Sequence, residues 1–371
     1  MDTAIAFSMS LIIVLLVTPQ VRSLGLKWGY VDQPGQRKVH HRPMVRVGGI
    51  AIVLATLLSL MTLYGLAVLN PEIGGLVTVA DPFRFNHSSA DISQTLQFAG
   101  VIIGSILFFM IGLADDIFSL SASKRLLLQA IVTCCVWSLG IRVEQLPIPW
   151  LGACSTGIFS LPLTFLWLAG VTNAINWIDG LDGLASGVSS IAAGLLALLC
   201  WQSHPAIALV AVALMGATLG FLRYNANPAQ IFMGDGGSYF IGYVLASVSA
   251  IGLMQQANFT TLLLPYLVLA VPIIDMARVI LTRLSDRKSP FFADQRHLHH
   301  RLLQTGLSVK SAVYLIYSLA LWLGSWAIAL HFSYGLPFLA LSSLLLIATS
   351  QSLWKPLLSN LLRQPSIIPP Q

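Results

Sequence analysis

Five stretches of this 371-residue chain gather carboxylates, amides, glycines and histidines in spacings that could do chemistry. The first is Gly112-Leu-Ala-Asp115-Asp116. Neighbouring residues on a helix point about 100° apart, so two adjacent carboxylates cannot face one direction. A like-charged pair at a helix C-terminus also opposes the macrodipole, which argues against a purely structural role. The second stretch is Asn173-Ala-Ile-Asn176-Trp-Ile-Asp179-Gly-Leu-Asp182-Gly183. Asn176, Asp179 and Asp182 are three apart and would share a face on a helical turn. Amides and carboxylates there suit a nucleobase, ribose or sugar, although an Asn/Asp/Gly turn is also common in any loop. The third runs from Asn225 through Asn227-Pro228 to Gly234-Asp235-Gly236-Gly237-Ser238. A glycine-rich turn ahead of a helix resembles a phosphate-holding nest, and Asp235 adds a carboxylate for a divalent cation.

The fourth stretch, Asp294-Gln-Arg296-His297-Leu-His299-His300-Arg301, sets His297, His300 and Arg301 at helical spacing. It reads as a donor cluster for a pyrophosphate. A lipid-headgroup contact and a structural zinc site compete with that reading, but no cysteine lies near to support zinc. The fifth runs from Asp32 through Arg37-Lys38-Val-His40-His41-Arg42 to Gly48-Gly49, with a solvated cationic loop as the competing reading. Asp275 stands apart inside an apolar run, where a pair with Arg278 one turn on is the expectation. Together these residues offer carboxylates, cations and glycine turns, with no serine or cysteine triad. Hard carboxylates with phosphate ligands suit Mg²⁺. Phosphoryl chemistry on a charged substrate follows.

The elements that carry these loops must be membrane helices. The chain is 56% hydrophobic and only 9% charged, whereas a soluble domain carries about 25% charged residues. In a bilayer only helices and closed barrels satisfy their backbone groups, and the apolar runs here are long and lack strict alternation. Eleven runs fall near 3–21, 48–69, 95–113, 126–141, 159–175, 184–201, 206–222, 239–254, 260–281, 312–330 and 334–350. The expected fold is all-α and polytopic, with about eleven transmembrane helices in one domain over 1–355 and a disordered cytoplasmic tail over 356–371. The first run follows Asp2 and precedes no small-residue cleavage pattern, so it reads as a retained span. Cys134, Cys135, Cys154 and Cys200 form no C-x-x-C pair and read as apolar fillers.

Every lysine and arginine except Arg84 and Arg142 falls in alternate loops or the tail. The positive-inside rule then puts the N-terminus outside, the C-terminus in the cytoplasm, and all five stretches on the cytoplasmic face. The net charge of +6 is accounted for by these loops, and no nucleic-acid-reading motif accompanies it. A wholly soluble substrate would leave so many spans unexplained. A lipid phosphate as second substrate explains them.

The motifs resemble the polyprenyl-phosphate N-acetylhexosamine-1-phosphate transferases of glycosyltransferase family 4, a group related to the phospho-MurNAc-pentapeptide translocases. The matching pieces are Asp115-Asp116, Ser123-Lys124-Arg125 to Gln129, Asn176-x-x-Asp179-Gly-x-Asp182-Gly-Leu, Phe232-Met-Gly-Asp235-x-Gly and His297-x-His299-His300. They occur in the family's order. The resemblance implies transfer of a sugar 1-phosphate from a UDP-sugar to undecaprenyl phosphate, with Mg²⁺ (or Mn²⁺ in its place) and release of UMP. By position, it implies Asp235 as metal ligand and Asp115 as the group orienting or deprotonating the lipid phosphate, with catalytic Asp116 beside it. Asn176, Asp179 and Asp182 would hold the nucleotide, and His297, His299, His300 and Arg301 the pyrophosphate. Lys124, Arg125, Arg37, Lys38, His40 and Asn225 are further candidates.

His-x-His-His together with Arg37-Lys38-x-His40 resembles the branch that uses UDP-GlcNAc in cell-envelope polysaccharide synthesis, whether lipopolysaccharide or teichoic acid. UDP-MurNAc-pentapeptide or another UDP-HexNAc is the alternative donor, and Arg46-Val-Gly48-Gly49 departs from the peptidoglycan branch. A transporter is the reading from another class, but transporters place their ionisable sites near the midplane, often between repeats, and no repeat is visible. The expected location is the bacterial cytoplasmic (inner) membrane, with the site facing the cytoplasm. The sequence leaves the oligomeric state open, a homodimer included.

Overall fold

A computed structural model of the chain describes residues 2–32, 43–69, 89–291 and 295–362. The fold is helical, and each of the eleven apolar runs lies on a helix. In chain order these are α1 (Asp2–Trp28), α2 (Gly49–Leu69), α3 (Ser89–Phe118), α4 (Ala122–Ser138), α5 (Ser160–Ile178), α6 (Leu184–Cys200), α7 (Pro205–Asn225), α8 (Gly234–Leu253), α9 (Phe259–Val268) with α10 (Ala270–Ser285), then α12 (Val309–His331) and α13 (Gly335–Leu362). The short α11 (Leu298–Gln304) carries the histidines. Two antiparallel hairpins complete the fold, β1 (Val31–Asp32) with β2 (Met44–Val45) and β3 (Gln145–Ile148) with β4 (Gly152–Ser155).

Among the described residues seven helices are long and apolar enough to cross a membrane, or eight if the bent pair α9–α10 is one span. α6 and the apolar part of α13, Gly335–Gln351, are shorter. The chain is a multi-pass membrane protein. α13 continues to Leu362, past residue 355, and residues 363–371 lie outside the described part. So do the candidates Arg37, Lys38 and His40.

α8 is the axis of the bundle. Every residue from Gly236 to Leu253 is buried, as expected of a helix apolar on all sides. It packs chiefly on α3 and α5. Small residues let the backbones approach: a Cβ at Gly242 would collide with the α5 backbone at Thr172, and one at Gly112 with the Asp235 carbonyl. α9 and α10 meet at a 75° bend. Pro272 has no N–H to give the Val268 carbonyl, so the helix cannot continue straight through this point. Beyond the bend α10 packs against α5 and α12.

Candidate active site

α3 ends where α8 begins, and the two adjacent carboxylates of α3 do different things there. Asp116 accepts the N–H groups of Asp235 (3.0 Å) and Gly236 (3.0 Å) at the start of α8. It also accepts Arg46 Nη2 at 2.7 Å and Nε at 3.1 Å. The anion at this glycine-rich helix N-terminus is therefore the Asp116 carboxylate. That corrects the reading of Gly234–Ser238 as an open phosphate nest, because the first amides are already taken. Gly234 allows the turn. Its φ of +72° lies in the left-handed region, and a Cβ there would strike the Arg46 carbonyl. Asp115 points elsewhere and pairs with Arg125 of α4 at 2.5 Å.

Exposure separates the three acids. The Asp116 side chain is 2% exposed and Asp115 6%, whereas Asp235 is 26% exposed. Asn176 Nδ2 donates to Asp235 Oδ1 at 2.8 Å and to Ser238 Oγ at 3.0 Å, which fixes the carboxylate. Its Oδ2 lies 4.0 Å from Arg46 Nη2. Tyr239, one turn further along α8, is buried, with its hydroxyl beside Arg125 and near Asp235 and Asp115.

The second stretch leaves the helix earlier than its spacing suggests. α5 stops at Ile178, so Asn176, Asp179 and Asp182 do not share a helical face. Asp182 Oδ2 accepts Asn227 Nδ2 (2.9 Å) and the Ala229 N–H (3.0 Å), tying down the loop before α8. Asn225 is buried and bonds Gly183, Ser186 and the Ile231 carbonyl, so it holds two loops together and does not face the cleft. Asp179 is half-buried. Desolvation, then the carboxylates of Asp235, Asp116 and Asp182, push its pKa up to about 8. The acids here outnumber the cations that reach them, and a divalent cation would relieve that imbalance.

The histidine loop docks on α10. His297 Nδ1 lies 2.8 Å from Asp275 Oδ2, and the Leu298 N–H donates to Asp275 Oδ1 at 2.7 Å. This corrects the expected Asp275–Arg278 pair: the bent helix turns Asp275 toward the loop, where it orients His297 and caps α11. Trp177 of α5 meets His297 edge-on at 5.7 Å, and the Arg283 guanidinium lies 5.0 Å over the Trp177 ring. His299 is buried against Gly180, stacked on His297, with Nε2 unpartnered. Burial, then the neighbouring His300 and His297, lower its pKa to about 3. His300 packs on His299 at 4.4 Å. Arg301 and Lys124 are exposed.

Arg125, Asn173, Trp177, Arg283 and His297 head a groove of about 540 Å³ whose other walls are largely apolar, among them Phe165, Leu166, Met276 and Ile280. The groove runs between α4, α5 and α10, and its polar head adjoins the acids through the Asp115–Arg125 pair. Among the described residues no three His, Cys, Asp or Glu side chains are gathered as a metal cage. A single accessible carboxylate fits a cation that keeps its waters and takes the rest of its ligands from substrate phosphates, as Mg²⁺ does.

A cleft of carboxylates at a membrane-helix end, beside an apolar groove with a cationic head, defines a membrane enzyme that works on phosphates. The profile described as glycosyl transferase family 4 matches residues 98–253. A Bacillus subtilis protein named "Probable undecaprenyl-phosphate N-acetylglucosaminyl 1-phosphate transferase" is 34% identical over 84% of this chain and 80% of its own. The decaprenyl-phosphate N-acetylglucosaminephosphotransferase of Mycobacterium tuberculosis H37Rv is 33% identical over 84% and 78%. An undecaprenyl-phosphate alpha-N-acetylglucosaminyl 1-phosphate transferase of Yersinia pestis is 26% identical over 80% and 75%. The chain belongs to glycosyl transferase family 4.

Arg46, Trp177 and Arg283 are site residues to which the sequence reading gave no role, and Asp275 is one to which it gave a different partner. Arg46 precedes a Gly-Gly pair, a signal of close backbone approach. The Gly48 and Gly49 N–H groups bond the Phe232 and Met233 carbonyls, and this carries Arg46 to Asp116.

Proposed function

We propose that this chain transfers N-acetylglucosamine 1-phosphate from UDP-GlcNAc to undecaprenyl phosphate, at the cytoplasmic face of a bacterial inner membrane and with Mg²⁺. The names of the relatives support the reaction. The observation that carries it for this chain is the apolar groove whose head, Arg125 and His297, adjoins the exposed Asp235.

The lipid phosphate enters the groove head, where Arg125 and Arg283 balance its charge and His297 lines the wall. Asp115 holds Arg125 in place. One acceptor oxygen attacks the β-phosphorus of the UDP-sugar. A P–O bond forms there, and the bond from that phosphorus to the bridging oxygen breaks, so UMP leaves with the electron pair. Asp235 would hold Mg²⁺, which when bound would supply charge neutralisation for the diphosphate. Asn176 orients Asp235. Arg46, fixed by Asp116, adds positive charge beside it. Asp179 faces the nucleotide.

A phosphate monoester is largely ionised near neutral pH, so no strong base is required. Positioning and electrostatics supply the rate. Asp116 accepts four hydrogen bonds and is nearly inaccessible, which disfavours it as a covalent nucleophile and favours direct attack. Membranes carrying the chain, supplied with undecaprenyl phosphate, Mg²⁺ and in turn UDP-GlcNAc, UDP-GalNAc or UDP-MurNAc-pentapeptide, test the donor. UDP-GlcNAc is expected to give the highest kcat/KM. Preference for the pentapeptide donor would overturn the assignment.

A further inference from the structure

A second apolar cavity, of about 480 Å³, lies at the other end of α5 and is lined by Ile148 and Cys154 of the β3–β4 hairpin together with Phe159 and Leu163. It shares Phe165 and Leu166 with the groove described above. The two spaces abut at these residues and together trace a path along α5. From Trp177 at the site end to Pro162 at the hairpin end the helix rises about 22 Å at 1.5 Å per residue. The path continues past Pro162 to Phe159 and the hairpin, so it crosses most of a hydrocarbon core about 30 Å thick. Its side is open: Leu166 is 67% exposed and Phe159 63%.

We propose that this hairpin-end cavity is a subsite for the distal isoprene units of the lipid acceptor, so that the chain discriminates acceptors by tail length. The proposal rests on the transferase reading above. Continuity with the groove and the length of the path argue for this occupant. A phospholipid acyl chain reaches only through its own leaflet, about half the core. A tail that starts at the cationic head and fills both spaces must be longer than that. Ile148 and Cys154 line the far end, so the hairpin is the element that meets the distal part of the tail.

The test uses the full chain in lipid nanodiscs, with UDP-GlcNAc, Mg²⁺ and acceptor phosphates of farnesyl, geranylgeranyl and undecaprenyl length. KM is expected to go on falling from the geranylgeranyl to the undecaprenyl acceptor, by about tenfold, the worth of a few buried methylene groups. Cys154→Phe and Leu163→Trp should each fill the cavity. They should raise KM for the undecaprenyl acceptor toward that of the geranylgeranyl acceptor and leave the farnesyl kinetics unchanged. A KM that levels off at geranylgeranyl overturns the proposal, and the acceptor series alone decides this if a variant does not fold. Equal effects of a folded variant on all acceptors, or no effect, also overturn it and leave the cavity to bulk lipid. Absence of transfer to every acceptor from every UDP-sugar instead removes the transferase reading itself.

Discussion

Asp116 and Asp235 are both acids at one helix junction, yet the structure gives them opposite burdens. Asp116 is enclosed, paired with Arg46 and bonded to the first amides of α8. Asp116→Ala would strand those donors, and we expect a stability loss of about 2–4 kcal/mol, read as a fall in Tm. Asp235 accepts from Asn176, lies 4.0 Å from Arg46 and is more exposed than Asp116. Asp235→Asn should leave stability within about 0.5 kcal/mol while lowering turnover about 100-fold or more and weakening the Mg²⁺ dependence. An unchanged Mg²⁺ titration would remove Asp235 from the metal site. His299 gives a pH prediction. Its folded pKa is lowered to about 3 from an ordinary 6.5. The unfolded chain therefore binds the extra proton first as pH drops, and stability contributed by neutral His299 is lost progressively below about 6.5. Tm should fall between neutral pH and about pH 5 more steeply in the wild type than in His299→Gln; parallel curves would contradict this.

The elements show what local pattern can and cannot reveal. Each apolar run became helical, with 260–281 broken into α9 and α10, because run length and composition decide that without reference to neighbours. The divergence of Asp115 and Asp116 also followed from helix geometry alone, and the structure sends them to Arg125 and Arg46 respectively. What escaped were partners brought together by tertiary packing. Arg46 meets Asp116 across 70 positions, and Asp275 meets His297 across 22. No period links such pairs. The helical reading of Asn176 to Asp182 failed because α5 ends at Ile178 and gives way to a turn that ties down another loop. Close helix approach was only hinted at by glycines. At Gly112 it can be tested: a Cβ there meets the rigid Asp235 backbone. Gly112→Ala should cost about 1–3 kcal/mol by overpacking and should lower activity along with stability, since it shifts the start of α8. Wild-type Tm and activity would show that α3 and α8 pack more loosely than described.

At the scale of the whole molecule, the acids, the histidine loop and the groove head all lie at one end of the bundle, around the start of α8. The charge asymmetry of the loops is the ground for the proposal that this end faces the cytoplasm. A reporter fused after Leu303 should therefore read cytoplasmic, and a reading from the opposite side would overturn the orientation. The central claim is that a UDP-sugar and a lipid phosphate meet at this end and exchange a sugar phosphate. Membranes carrying the wild-type chain, and separately Asp235→Asn, should be given radiolabelled UDP-GlcNAc, undecaprenyl phosphate and Mg²⁺. The account predicts a butanol-extractable labelled lipid with UMP released in equal amount, dependent on Mg²⁺ and nearly lost in the variant. No labelled lipid from the wild type with any UDP-sugar, or equal yield from Asp235→Asn, would contradict it.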